Sequence, residues 1–424
     1  METLLAFLWA PFVLYGLSVG LALLAERVLR VEVPPALLGP VGMALLVALV
    51  MPVYRLGGGS SLALALALPC AVVGVVLARA TLPGRLNPGA AGLGGLGVFA
   101  LYMAPVALSG HWTWAGYNFV NDTSANLLFA DLLSREGVSV PAAGDSSTTN
   151  IQSTASRFGY PVGAHGLLAT IKPLTGASLA AIYHPVIAAI AGLAAMAMAH
   201  LARGAGLRPR AAALAGALPM GAVLIYRYAL HGSIKEVLVV ALVATSAALA
   251  RVALDRELSV RVVVLIALCA AALLHVFGAV GGVYALGVGL LVLLVAVLEG
   301  RSLATVGRLV LVGLAITVVA VAVSLSDIKN FADRAGDAFA SEGGASTAYV
   351  GHLLRPLPLV QTAGVWLARD YRGPVQAHNE LENTLLLVVV GLLFAVGVFW
   401  ELRRRRASAL LLLVPVAAVA AALA

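Results

Sequence analysis

The sequence predicts an all-α polytopic membrane protein of about twelve transmembrane helices, with two long extracytoplasmic loops and its N-terminus outside. Three observations predict it. Hydrophobic residues make up 61% of the chain and charged residues 11%, and the mean hydropathy is +1.00. Apolar runs of about 20 residues recur from end to end, the length a helix needs to cross about 30 Å of hydrocarbon. Those runs are continuous rather than alternating, which excludes a β-barrel. The basic residues, finally, fall into short connections on alternate sides.

Taken in order, the first span covers residues 3–25 and ends at Glu26, Arg27 and Arg30. It has no basic leader and no small-residue cleavage site, so it reads as a retained helix. The second covers 35–54 and closes on Arg55 and a GGGSS turn. The third, 60–78, precedes Arg79 and Arg85, and the fourth covers 89–109. A first outer loop follows over 110–163. The apolar piece 163–171 is too short to span and reads as a half-helix dipping into the membrane. The fifth span (177–201) precedes Arg203, Arg208 and Arg210. The sixth (211–230) and seventh (236–254) follow, then Arg251, Arg256 and Arg261. The eighth (262–278) and ninth (280–298) form a tight hairpin around Gly278, Gly281 and Gly282, and the tenth covers 308–326. A second outer loop covers 327–383, and the eleventh span, 384–400, ends at Arg403 to Arg406. The last run, barely long enough to span, reaches Ala424, as expected of a chain that continues beyond it.

The connections that carry Arg27, Arg30, Arg79, Arg85, Arg203, Arg208, Arg210, Arg251, Arg256, Arg261, Arg301, Arg308 and Arg403 to Arg406 are all short, where the positive-inside rule applies, so that side is cytoplasmic and both long loops face outward across a plasma membrane. The net charge of +8 is explained by this bias, without a nucleic-acid partner. Cys70 and Cys269 lie inside apolar runs with no ligand spacing and read as small core residues. The whole chain, 1–424, is thus one transmembrane domain.

The chemistry is expected where the polar residues gather, in the first outer loop. Asp122 opens the stretch DTSANLLFADLLSRE, whose apolar residues Leu127, Leu128, Phe129, Leu132 and Leu133 mark an amphipathic interfacial helix. Asp122 is placed either as a general base or as the N-cap of that helix. His165 begins the half-helix, where it can meet a phosphate or hydroxyl or anchor the helix start. Tyr226, Arg227, Tyr228, His231, Lys235 and Glu236 cluster between the sixth and seventh spans, suited to holding phosphate or to snorkelling at the interface. His275 is an ionisable group within a span and therefore a site candidate. In the second loop Arg369, Arg372, His378 and Glu382 precede a span. Their His-Asn followed by Glu and a Gly-containing apolar helix resembles the O-antigen polymerase and ligase group.

An aspartate in the first large outer loop, an interfacial helix after it and the Tyr160-Pro-x-Gly-x-His165 stretch together resemble the GT-C superfamily of multispan glycosyltransferases. The match covers residues 117–165, while the remaining spans are similar only in style. In that family the loop often follows the first helix, whereas here about three further spans precede it. The resemblance implies a polyprenyl-phosphate sugar donor, a glycan or glycolipid acceptor, and Asp122 serving the acceptor. It leaves a divalent metal possible, although a second carboxylate close to Asp122 is not evident. A transporter or flippase is the alternative from another class; it predicts ionisable groups at mid-membrane and broken helices in matching halves.

Overall fold

The computed structural model describes residues 5–109, 122–138, 160–255 and 260–340, with isolated positions between 150 and 153 and between 385 and 403. Every regular element among the described residues is helical. A π-turn over Leu5–Trp9 leads into α1 (Ala10–Leu29), followed by α2 (Pro35–Arg55), α3 (Ser60–Ala78), the single turn α4 (Leu82–Arg85) and α5 (Ala90–Leu108). Next come α6 (Asp122–Glu136), α7 (Gly163–Thr175), α8 (Leu179–Gly204) and α9 (Pro209–Ala217). A 3-10 turn over Leu218–Gly221 separates α9 from α10 (Val223–Leu230). The order ends with α11 (Ile234–Asp255), α12 (Val260–Leu298) and α13 (Leu303–Ala340). Eight helices among the described residues are long and apolar enough to cross a membrane. Helical bounds agree with expectation to within a few residues for α2, α3, α5, α8 and α11, because uninterrupted apolar length leaves a chain in lipid few alternatives. Of the eleventh span, the described positions between 385 and 400 are helical and include a shorter apolar helix over Val388–Gly397; the twelfth span and most of the second loop lie outside the described residues.

Three elements differ from the sequence reading. The sixth span is not continuous. It is α9, the 3-10 turn and α10 in succession, with Pro219 removing a backbone donor at the break. Tyr102 on α5 donates its hydroxyl to the Met220 carbonyl at 2.8 Å, satisfying an acceptor that the break exposes. The tenth span runs on as α13 to Ala340, past residue 327 where a loop was expected. The interfacial helix α6 turns its apolar face to protein rather than to lipid: Phe129, Ala130, Leu132 and Leu133 are buried, packed on α7, α8 and α3.

The expected hairpin is present within α12. Gly278 adopts φ 59° and ψ −141°, a conformation glycine tolerates without strain. The chain reverses there, since a Cβ on Gly281 would stand 2.1 Å from the Leu273 carbonyl oxygen. Eight residues along a straight helix would separate these positions by about 12 Å.

The bundle core is formed by α2, α8 and α11, most of whose side chains are buried, together with the buried face of α1. The outward flanks of α3, α5 and α13 expose Leu66, Val73, Leu93, Leu96, Leu314 and Val318, as lipid-facing surfaces do. Contacts in the core are backbone-close. A Cβ on Gly42 would lie 1.6 Å from the Ser18 carbonyl oxygen, and one on Gly74 would lie 1.9 Å from that of Gly20. Small residues let apolar helices approach where lipid offers no hydrophobic drive to association. At one end of the bundle Arg85 pairs with Glu26 and with Glu32. The other end carries α6 and α7.

Gly42→Ala is expected to destabilise the purified protein by about 1–3 kcal/mol through overpacking against a backbone that cannot yield. Gly97→Ala, with open space around it, is expected to be neutral or slightly stabilising. Thermal unfolding in detergent checks both.

Candidate functional site

The half-helix α7 is the centre of the α6 end. Its residues Gly163 to Ile171 are buried without interruption. Tyr54, near the end of α2, hydrogen-bonds the Thr170 hydroxyl at 2.9 Å. Trp9 donates its indole N–H to the Leu174 carbonyl at 2.8 Å. The start of α7 rests on α12, where a Cβ on Gly163 would stand 2.7 Å from the His275 carbonyl group.

Helix α6 lies across this end as a strut. Near its C-terminus Ser60 donates to the Ser134 carbonyl at 3.0 Å, and the Val138 amide donates to the Tyr54 carbonyl at 2.7 Å. Its first turn is fixed to the turn joining α10 to α11. The Thr123 hydroxyl donates to the His231 carbonyl at 2.9 Å, and Asn126 Nδ2 donates to the Gly232 carbonyl at 3.1 Å. The Tyr183 hydroxyl of α8 donates to that same Gly232 carbonyl.

His165 joins the two systems. Its Nε2 lies 2.7 Å from Asn126 Oδ1. Since Asn126 turns its amide nitrogen to Gly232, its oxygen accepts, and His165 carries its proton on Nε2. The edge of the imidazole meets Phe129, with ring centroids 5.5 Å apart, and Phe129 stacks on Tyr160 at 5.0 Å. Lys235 Nζ sits 3.9 Å from the centroid of the Tyr160 ring and 6.0 Å from that of Phe277, a cation over aromatic faces. Burial, reinforced by the Lys235 ammonium, pushes the His165 imidazole down to about 3, so it is neutral at physiological pH.

The residues singled out in the sequence therefore converge in part. His165, His231 and Lys235 meet within this network. Arg227 belongs to it through its Nε, 3.4 Å from His231 Nε2. His275 is buried beneath the start of α7, and Glu236 lies in the first turn of α11. Asp122 is the first residue of α6, one position before the Thr123 anchor; its side chain lies outside the described residues. Arg369, Arg372 and His378 also lie outside them. Among the described residues no group of three or more His, Cys, Asp or Glu side chains could hold a metal ion. Asp131 instead pairs with Arg135 at 2.8 Å on the surface.

The chain finds no match among protein-family models, curated proteins or solved structures. The site is thus read from its own chemistry. Sequence reasoning missed Asn126, Tyr183 and Arg55. Asn126 carried a signal: Thr123, Asn126, Ala130 and Leu133 share one helical face, and two polar residues at the head of an apolar stripe mark a buried polar contact.

The His165 shift has a sign. The unfolded imidazole, near 6.5, takes up a proton before the folded one does, so this contribution to stability is complete above about pH 6.5 and is lost as pH falls toward about 3. At pH 5 the loss is about 2 kcal/mol. His165→Gln, which keeps a donor for Asn126, is expected to flatten the fall in melting temperature between pH 7 and pH 4.

Proposed function

We propose that the protein is a membrane glycosyltransferase that moves a sugar from a polyprenyl-phosphate donor to a cell-envelope glycan or lipid acceptor at the outer face of the plasma membrane. One observation carries the reading: the helix start that bears Asp122 is pinned, through Thr123 and Asn126, to the turn that separates Arg227 and His231 from Lys235. A carboxylate-bearing helix start and a basic cluster thus share one end of an otherwise apolar bundle, which is the pairing that sugar transfer from a lipid phosphate needs.

In this reading Asp122 accepts the proton of an acceptor hydroxyl as that oxygen attacks the anomeric carbon. The bond from that carbon to the phosphate oxygen breaks, and the phosphate departs with the electron pair. Arg227 and Lys235 stabilise the charge that develops on it. Inversion at the anomeric carbon follows from a single displacement. A prenyl chain is accommodated by the lipid-facing flanks of the helices.

A second reading, a transporter or flippase, is favoured by one specific feature: the interruption of a span at Leu218–Gly221, the kind of discontinuity transporters use at substrate sites. The two are separated by incubating purified protein with a panel of radiolabelled polyprenyl-phosphate sugars and membrane acceptors. The glycosyltransferase reading expects sugar transfer that drops by about 10²–10⁴-fold in Asp122→Asn. Equal turnover by both proteins removes Asp122 from the mechanism. No transfer with any donor, together with substrate movement across proteoliposomes, establishes the second reading instead.

A further inference from the structure

Helix α9 and the turn before it form a charged corner at the end of the bundle opposite α6 and α7. The sequence from 146 to 235 holds no acidic residue, yet Arg203, Arg208 and Arg210 flank the turn that joins α8 to α9. All three are exposed. The Arg203 guanidinium donates to the Leu207 carbonyl, and among the described residues none of the three pairs with a carboxylate. Arg251 of α11 brings a fourth guanidinium to the corner. A Cβ on Gly204 would stand 3.2 Å from its Cγ and Nε, so the bare glycine leaves it room. Other arginines of this end have acidic neighbours. Glu26 and Glu32 hold Arg85, and Arg301 lies 3.7 Å from Glu299. Arg27 and Arg30 fall between those same two glutamates in the chain.

An apolar face continues from the charge. Helix α9 returns along α8, where a Cβ on Gly216 would lie 2.4 Å from the Ala195 carbonyl oxygen, and it packs on α5, where a Cβ on Gly94 would lie 3.0 Å from that of Ala213. Ala212, Ala213 and Gly216 are buried in those contacts. The opposite face is exposed, and it carries Arg210, Leu214 and Leu218 in one line at four-residue spacing. Leu93 and Leu96, on either side of Gly94, extend the exposed apolar surface onto α5. Nine residues of helix rise about 13 Å, close to half the ~30 Å of hydrocarbon. The line therefore passes from guanidinium to leucine over the depth of one leaflet. That sequence of chemistry matches a molecule with an anionic head and a hydrocarbon chain. An acidic peptide matches the head alone.

We infer that the α8–α9 corner is a binding surface for an anionic phospholipid of the adjoining leaflet, with the lipid phosphate among Arg203, Arg208, Arg210 and Arg251 and an acyl chain along Leu214 and Leu218. Guanidinium groups suit the phosphate because they donate in pairs and carry their charge at every physiological pH. The surface stands apart from the proposed transfer chemistry, which gathers at the other end of the bundle, and does not depend on it.

The test uses the full chain in detergent micelles, titrated with phosphatidylglycerol or with phosphatidylcholine of the same acyl chains, and binding is read by native mass spectrometry. Phosphatidylglycerol is expected to bind about tenfold or more tightly. The double substitution Arg208→Gln with Arg210→Gln is expected to weaken it by about fivefold or more, at least the worth of one arginine beside a charged membrane surface. The pair Arg27→Gln with Arg30→Gln removes the same charge from the same end and is expected to change binding by less than about twofold. Equal binding of the two lipids, or equal losses in the two double variants, overturns the proposal. Glycerol 1-phosphate, a head without chains, is expected not to displace the lipid; displacement at equal concentration overturns the acyl seat. Displacement by polyglutamate overturns the lipid in favour of an acidic protein partner. All four substituted side chains are exposed, so both double variants are expected to fold. Thermal unfolding gives a second reading on the unmutated chain: phosphatidylglycerol is expected to raise its melting temperature above that in phosphatidylcholine, and an equal temperature in the two lipids counts against the site.

Discussion

A helix too short to cross a bilayer, buried inside one end of a helical bundle, is the constraint on which the rest of this structure depends. A spanning helix satisfies its backbone internally and exposes its ends to water or headgroups. From Gly163 to Ile171 helix α7 has no such outlet, and its surroundings must answer for it. Tyr54 meets Thr170 on its flank, Trp9 closes its last turn through Leu174, and the His275 backbone supports its first residue. Gly176, at φ 64°, then lets the chain turn into α8. The ends of α2, α8 and α12 converge there because α7 gives them a common surface.

Helix α6 couples that buried piece to the rim. Its two ends are tied to two different turns, one after Tyr54 and one after α10. The Asn126 side chain links His165 to the Gly232 carbonyl, which also receives the Tyr183 hydroxyl. One carbonyl oxygen therefore reports on three helices. A shift of the turn that bears His231 cannot leave the helix start at Asp122 where it was, and that mechanical linkage matters for any chemistry in which a carboxylate and a basic group must keep register.

Much of this architecture was legible in the sequence, for a physical reason. Apolar length is the whole signal for a span, and Ser60–Ala78 or Leu179–Gly204 state it without ambiguity. The break in the sixth span was not legible, because hydropathy does not register a lost hydrogen bond. Proline offers no better guide here, since Pro52, Pro69, Pro105 and Pro185 all sit inside continuous helices while Pro219 marks an interruption. At the site, His165, His231, Lys235 and His275 stood out as ionisable groups at the margins of apolar runs. Asn126 did not, because a neutral amide carries no charge to draw notice. The half-helix α7 was legible as a piece too short to span that dips inward, but not its enclosure by protein from Gly163 to Ile171, which only the tertiary packing decides.

The fold-back at Gly278 bears on biogenesis. From Val262 to Leu298 the two arms of α12 carry no acidic residue, no lysine and no arginine, and the apex between Phe277 and Val280 is wholly apolar apart from its peptide groups. Nothing at that tip has to be dragged through hydrocarbon as a hydrated ion. The arms can leave the translocation machinery already paired, entering the bilayer as one folded unit before its partners arrive.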